Sequence, residues 1–483
     1  MIQLTNNQSA ALQKLRNFSE EGGSRCFVLR GYAGTGKTTL VGYYVDWLEQ
    51  HGFEPVLLAT TGRAAKVLAT KTGRAATTIH GCVYVFNEME EQLPQADQSG
   101  QLTLQFGVRD QPYYLKPVVY IVDEASMIAN TASKGGQMAR FGSGHLLRDF
   151  LSFSEGQRVV FVGDPCQLPP VSNDLFSPAL SPRYLRDQYQ VAVRYAELFE
   201  IVRQEEQSEI LQLAGVFRHD IVKENYIKWP KLSVPREQAV HLMKNEHLLV
   251  AKYMEYLRRK EYDQAVMIVN ANRHCRRLNH KIRMTLFNHK DLRKGELLMV
   301  VQNSHLVPLS NGDQVVLESI QPHGKKAGFF FLEVKVRSIA NGVIYQTLLI
   351  RDLLFNDYAG LQTEESKRLL IDFDKRMRNK GLSRKSEKYQ EAMRTDPYLN
   401  ALRAKFGYVI TCHKSQGGEW PNVFLNIQKG VYALPSNALY RWFYTALTRA
   451  SQKLYINDGF WIKGFAKRQP KVNAAFFKKR RKG

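Results

Sequence analysis

The sequence predicts an α/β protein with two lobes, each built on a parallel sheet. Three observations carry that expectation. Strand-like and helix-like stretches alternate from Cys26 to Val171, as in a parallel sheet joined by crossover helices. A second alternating set appears in "AVMIVNANRHCRRLNHKIR", "FGYVITCHKS", "NVFLNI" and "KLYIND". The first apolar run, "CFVL", leads directly into a glycine-rich turn, "RGYAGTGKTTL". A chain of 483 residues with 44% hydrophobic residues has room for two or three globular domains.

The glycine-rich turn comes first. Glycine costs order in a folded chain, so three glycines beside a helix start signal an unusual backbone path or a closely approaching ligand. Gly31 to Thr38 reads GYAGTGKT, which matches GxxxxGK[ST] between a strand and the helical "TTLVGYYVDWLEQ". In such a loop the backbone N–H groups of Gly34, Thr35, Gly36, Lys37, Thr38 and Thr39 turn inward around phosphates, and the helix N-terminus adds its positive end. Lys37 suits the β- and γ-phosphates, and the Thr38 hydroxyl suits Mg²⁺.

A nucleotide site also needs an acid on its metal. "VVYIVDEASM" is a buried-strand run that ends in Asp123 and Glu124. The carboxyl end of a parallel strand faces the crevice where nucleotides bind. Asp123 therefore suits the metal shell, and Glu124 suits the base that positions or deprotonates the attacking water. A third strand, "QRVVFVGDPCQLPPV", ends in Asp164 and is followed by Gln167, an uncharged amide suited to sensing a γ-phosphate.

Composition narrows the partner. The 68 Lys and Arg residues exceed the 45 Asp and Glu residues, for a net charge of +23, and a basic protein of this size usually meets a polyanion. The five cysteines are far apart and never form CxxC, which argues against disulfide, zinc and iron–sulfur frameworks and fits a reducing, cytoplasmic setting. No apolar stretch approaches the roughly 20 residues of a membrane helix, and "MIQLTNNQSAALQKL" lacks the pattern of a secretory signal.

Nine ordered blocks extend the pattern across nearly the whole chain: "LTNNQSAAL", "GYAGTGKTT", "ATTGRAAKVL", "TTIHG", "IVDEASM", "GDPCQLPPV", "IVRQ", "ITCHKSQGGEW" and "YTALTRA". In these blocks the chain resembles superfamily 1 DNA helicases of the RecD-like and Dda-like 5′-to-3′ branch. The resemblance implies two RecA-like motor domains, at 1–200 and at 201–293 with 404–465. It implies ATP and Mg²⁺ as cofactors, and unwinding of duplex DNA by 5′-to-3′ movement on a single strand, in replication, recombination or repair. Gln8 would be the adenine-reading glutamine. Arg203 and Arg449 would be the arginines that meet the γ-phosphate, a task for which a forked, permanently charged guanidinium is suited. Gln416 and Gly417 would face nucleotide. Thr61, Arg63, Thr78, His80, His413, Lys414 and Ser415 would touch the DNA strand. The branch more often has proline where this chain has Thr60. An RNA helicase of the same superfamily, or a DNA-dependent ATPase or recombination subunit without unwinding of its own, remains the alternative.

Two insertions interrupt the motor plan. Residues 83–116 separate "TTIHG" from the Asp–Glu strand, and "QSGQLTLQFGV" reads as strand beside a glycine turn. The resemblance implies a strand-separating hairpin here, in which Phe86 or Phe106 stacks on a base or anchors the hairpin to the core; a loop around the acidic "NEMEEQLPQADQ" is the alternative. Residues 294–403 start with "GELLMVVQNS" and "SNGDQVVLESI", short strands around an Asn–Gly turn that suggest a small β-barrel, followed by a basic helical run at 375–388. The segment 466–483 is basic and expected to be disordered. It suits nonspecific DNA affinity or an acidic partner such as the tail of a single-strand-binding protein. Single-stranded DNA and strand junctions are the expected partners, with no membrane.

Overall fold

In a computed structural model the described residues are 3–92, 101–130, 139–170, 176–202, 209–227, 230, 238–304 and 306–458. The chain divides into two compact units, one comprising 1–165, 169–201 and 293–406, the other 166–168, 202–292 and 407–483.

The first unit is organised by a six-stranded sheet, ordered Ala76–Thr78, Glu54–Ala59, Val118–Asp123, Arg158–Gly163, Cys26–Gly31, Val193–Leu198, with every pair parallel. The alternating apolar runs form these strands because both faces of the sheet are covered. Leu12, Leu15 and Phe18 of helix Asn6–Glu20 and Leu40, Tyr44 and Leu48 of helix Lys37–Gln50 pack against Phe27, Leu29, Ile121 and Val162 on one face. Ile79, Leu147, Phe150 and Leu185 cover Val28, Val122 and Phe161 on the other. Parallel strands with crossover helices bring the phosphate loop and the Asp–Glu turn to the same carboxyl edge.

The expected hairpin exists. Tyr84–Gln92 pairs antiparallel with Gln101–Val108, and a short strand that sequence patterning did not reveal, Ala139–Phe141, runs parallel to the second arm. The acidic "NEMEE" stretch forms part of the first arm instead of a loop. Phe106 stacks on Phe141 with centroids 4.7 Å apart, so it anchors the hairpin; the side chain of Phe86 lies outside the described residues.

The second insertion forms a five-stranded antiparallel sheet in the order Ile344–Ile350, Phe329–Ser338, Gln314–Lys326, Leu297–Val300, Ala404–Phe406. Leu402, just before the last strand, bridges Leu349 of the first and closes the sheet into a small barrel. By chain order this insertion interrupts the second lobe, but it packs with the first unit: Lys66 pairs with Asp313, and Gly62 lies so close to Ser310 that a Cβ would clash with its side chain.

The basic run at 375–388 is less available to phosphate than its composition suggests. Buried Asp374 accepts from Arg378 Nε at 2.9 Å, Arg384 Nε at 2.8 Å and the Tyr389 hydroxyl at 2.8 Å, tying helix Thr363–Asn379 to helix Glu387–Thr395. Arg376 is paired with Asp372 and Asp396. The Arg384 hydrogen bonds, with those of Tyr389 and Arg378, hold the Asp374 carboxyl well below the usual carboxylate range. A depressed carboxylate contributes stability that is present above its unfolded pKa and is lost as pH falls towards the folded one. Asp374→Ala is expected to destabilise the insertion by about 2 kcal/mol, below the about 3–5 kcal/mol of a fully buried pair because Arg378 reaches solvent. Thermal melts should show the wild-type advantage at pH 7 shrinking below about pH 4. A mutant melting like the wild type at pH 7 would show that the cluster is not a strut.

The second unit has a five-stranded parallel sheet ordered Val240–Leu242, Ala450–Asp458, Trp420–Ile427, Ala265–Val269, Val409–Thr411. Helix Ser436–Leu447, with eight of its twelve residues buried, precedes the Ala450 strand and positions Arg449 just past its end. Among the described residues no helix is long and apolar enough to cross a membrane.

Candidate nucleotide and nucleic-acid sites

The phosphate loop takes the shape its glycines allow. Gly34 and Gly36 have φ of 81° and 73°, which a side chain resists, and Gly36 caps helix Lys37–Gln50 without a side-chain bond to its first N–H groups. These orphan donors and the helix dipole make the turn an anion cradle. Gly31 is required by crowding: a Cβ there would lie 2.8 Å from both Lys37 Cγ and Thr35 Oγ1. The Lys37 ammonium donates to the carbonyls of Gly31 at 2.8 Å and Tyr32 at 3.0 Å, both neutral acceptors.

Asp123 ends its strand where the sequence predicts and accepts from Glu124 N–H at 2.8 Å. The Thr38 hydroxyl is hydrogen-bonded to its carboxyl. Burial pushes that carboxyl up, while the Glu124 N–H, the Lys37 and Lys71 charges and the Thr38 hydroxyl oppose the rise. Thr38 and Asp123, expected to share a metal, are thus in contact. Among the described residues no cluster of three or more His, Cys, Asp or Glu could hold a metal ion by itself, so two protein oxygens with phosphate and water are the donor set that fits a hard cation.

Glu124 stands in the left-handed region with φ of 52°, a conformation that costs a non-glycine residue of order 1–3 kcal/mol. Its carbonyl accepts from Met127 N–H at 3.1 Å and from the Thr60 hydroxyl at 3.3 Å. Thr60, where the branch more often has proline, therefore supports the turn that presents Glu124. Sequence reasoning assigned it no role; its departure from the pattern was the signal.

Gln8, expected to read adenine, is held by backbone groups. It is 2% exposed, and its amide braces the loop: Oε1 accepts from Thr5 N–H at 3.0 Å and Nε2 donates to the Thr35 carbonyl at 3.0 Å. Both ends of the group expected to read adenine are committed to backbone.

The second unit gathers another part of the set. Gln416 Nε2 donates to the Leu168 carbonyl at 3.0 Å, Leu168 N–H donates to Thr445 Oγ1 at 2.9 Å, and Arg449 Nε donates to the Thr445 carbonyl at 3.0 Å. Gln167 and Gln416 are buried, and the Gln167 side-chain oxygen has no hydrogen-bond partner among the described residues. Gly417 turns with φ of 72°. Arg449 is also buried; it donates to the Gly418 carbonyl at 3.1 Å and the Thr448 hydroxyl at 3.2 Å, with no carboxylate partner among the described residues. Arg203 lies outside the described residues.

The strand-contact candidates divide. Thr61 and Thr78 cap helices, accepting from Ala64 N–H at 3.2 Å and Gly81 N–H at 3.1 Å. Arg63 is half-buried; His80 is exposed beside Tyr84 and Phe141, with centroids 5.8 Å from each. His413 is exposed and Lys414 half-buried, with burial pulling the lysine's pKa down. Ser415 is a correction. It is fully buried and donates to the Cys412 carbonyl at 2.7 Å, which removes it from any surface a strand could touch.

Residues 3–229 match the AAA domain family, and residues 406–457 match the UvrD-like helicase C-terminal domain. The ATP-dependent RecD2 DNA helicase of Deinococcus radiodurans is 26% identical over 454 residues, covering 94% of this chain and 48% of that protein. A solved Pif1 helicase structure, concerned with unwinding of forked duplex DNA, is 17% identical with a TM-score of 0.51, covering 99% and 97% of the two chains. The chain is similar to RecD- and Pif1-like proteins of superfamily 1. An uncharacterised protein of Methanocaldococcus jannaschii, 25% identical over 467 residues, covers 90% of this RecD/Pif1-like chain and 36% of its own length. The chain thus spans about half or less of the curated relatives it matches. Its likeness to Pif1 concerns the fold, and the two parallel sheets of the RecD/Pif1-like architecture are the two read from the sequence.

Proposed function

We propose that the chain is an ATP-dependent DNA helicase that moves 5′ to 3′ on single-stranded DNA and separates duplex ahead of it. The observation that carries the reading is the loop at Gly31–Thr38, with its uncapped helix start and with Thr38 bonded to Asp123, in a chain of RecD/Pif1-like fold. The resemblance to the 5′-to-3′ branch supplies the polarity. In this reading Lys37 and the loop N–H groups hold the triphosphate of ATP. Mg²⁺ at Thr38 and Asp123 would neutralise charge on the β- and γ-phosphate oxygens. Glu124 orients the attacking water and takes its proton, Gln167 senses the terminal phosphate, Gln416 and Gly417 face the nucleotide, and Arg203 and Arg449 compensate charge on the transferring phosphoryl group.

Arg63, Thr61, Thr78, His80, His413 and Lys414 serve the strand, with Thr61 and Thr78 also holding helix ends. Contacts to phosphate and base faces suit a motor that must tolerate any sequence. The basic 466–483 segment, outside the described residues, suits by charge an acidic tail such as that of a single-strand-binding protein.

Strand displacement on 5′-tailed, 3′-tailed and blunt duplexes tests the reading. Displacement of the 5′-tailed substrate alone, with ATP, is the expected result. Equal activity on 3′-tailed duplex would remove the polarity, and ATP hydrolysis without displacement would leave a translocase or remodelling ATPase. Affinity for single strands should fall steeply as salt rises from 50 to 200 mM, by about 10³-fold if the basic surface neutralises about six phosphates; a flat response would deny that surface the role.

A further inference from the structure

We propose that Phe199 is the platform on which the nucleotide base stacks, so that the base is recognised by its flat face instead of its edge. The inference rests on the phosphate-cradle reading of Gly31–Thr38. Phe199 is 60% exposed, more than any other phenylalanine among the described side chains. It follows the edge strand Val193–Leu198, in which Leu198 is in register with Gly31, so it emerges beside Tyr32 of the phosphate loop.

The backbone around Phe199 is fixed. Phe199 N–H donates to Asn7 Oδ1 at 3.0 Å, and Asn7 Nδ2 donates to the Glu197 carbonyl at 3.1 Å. The Tyr32 hydroxyl donates to Glu197 Oε1 at 2.7 Å, and Tyr32 N–H donates to the Leu198 carbonyl at 3.4 Å. Gln8 reaches the Thr35 carbonyl from the same helix start. Strand end, helix start and loop form one braced frame, and an exposed ring stands on it.

The frame also explains why edge reading is weak here. The two amides at this helix start, Asn7 and Gln8, each use both their oxygen and their nitrogen on backbone partners, and Gln8 is buried. Stacking has no such requirement, since every base has a π-face. The nucleotide class is therefore any purine triphosphate, with pyrimidine triphosphates weaker because their stacking face is smaller.

Steady-state ATPase with single-stranded DNA, using ATP, GTP and CTP, together with inhibition by inorganic tripolyphosphate, tests this. Wild-type KM values for ATP and GTP should agree within a few-fold, with CTP higher. Phe199→Leu should raise the KM for ATP about 10-fold with kcat unchanged, and Phe199→Tyr should restore it. Tripolyphosphate, which has no base, should inhibit the wild type and Phe199→Leu equally. An unchanged KM in Phe199→Leu, or GTP disfavoured over ATP by more than 100-fold, would overturn the stacking proposal while leaving the cradle intact. A wild type that binds neither ATP nor tripolyphosphate would instead overturn the cradle.

Discussion

Lys37→Ala should lose all measurable DNA-stimulated ATPase while single-strand binding persists. Lys37 is the one side-chain cation within the phosphate-loop motif, and it leans on the carbonyls of Gly31 and Tyr32. Removing it deletes two hydrogen bonds to backbone oxygens that bear no net charge, which costs the fold about 1–3 kcal/mol. The triphosphate loses far more, since the ammonium is the charge aimed at its β- and γ-oxygens. Lys37→Arg is not expected to rescue. A planar guanidinium cannot take the compact ammonium's place against the Gly31 and Tyr32 carbonyls. Turnover equal to the wild type in Lys37→Ala would refute the cradle. Loss of single-strand binding alongside activity would point to a collapsed domain, which a thermal melt would reveal.

The parts of this site that depend on local chain chemistry were the legible ones. Gly34 and Gly36 announce left-handed turns by identity alone, and Asp123 announces a strand end because five apolar residues precede it. Long alternation revealed both sheets, whereas Val240–Leu242 and Ala139–Phe141, with three residues each, are too short for any period to show. The family resemblance makes Gln8 an adenine reader, a role its amide suits. Its capping box with Thr5 was visible in principle as a Thr-x-x-Gln spacing, but its bond to Thr35 spans 27 residues and is a matter of tertiary structure.

The burial of Ser415 and the pairing within the basic run escape the sequence for a related reason. A polar residue in a short motif reads as surface, yet Ser415 satisfies its hydroxyl on Cys412 and disappears into the core. The run around Arg378 and Arg384 reads equally as a solvated face or a phosphate contact until two helices fold back and place Asp374 between them. Charge counts do not record which charges already have partners. Lys375, Lys380, Lys385 and Lys388 carry what remains of that expectation.

Arg449→Ala should bind ATP with near-normal affinity and hydrolyse it slower by on the order of 10³-fold or more. The residue has two possible values to the protein, and they make different predictions. As a strut it holds the carbonyls of Thr445 and Gly418 and the Thr448 hydroxyl, next to the end of helix Ser436–Leu447. Losing the strut exposes acceptors in a buried place and lowers the melting temperature, with an effect on kcat only as large as the misplacement it causes. As a finger it supplies positive charge to the phosphoryl group in the transition state, and its loss leaves nucleotide affinity nearly intact. A buried guanidinium with no carboxylate partner among the described residues favours the second, because protein that only needed a strut has no reason to bury an uncompensated charge. Arg449→Lys separates them further. It keeps the charge and loses the fork, so a finger should recover part of kcat and a strut built on three separate acceptors should not. Equal loss of affinity and stability with normal chemistry per bound nucleotide would make Arg449 a structural or anchoring residue and end its assignment to the reaction.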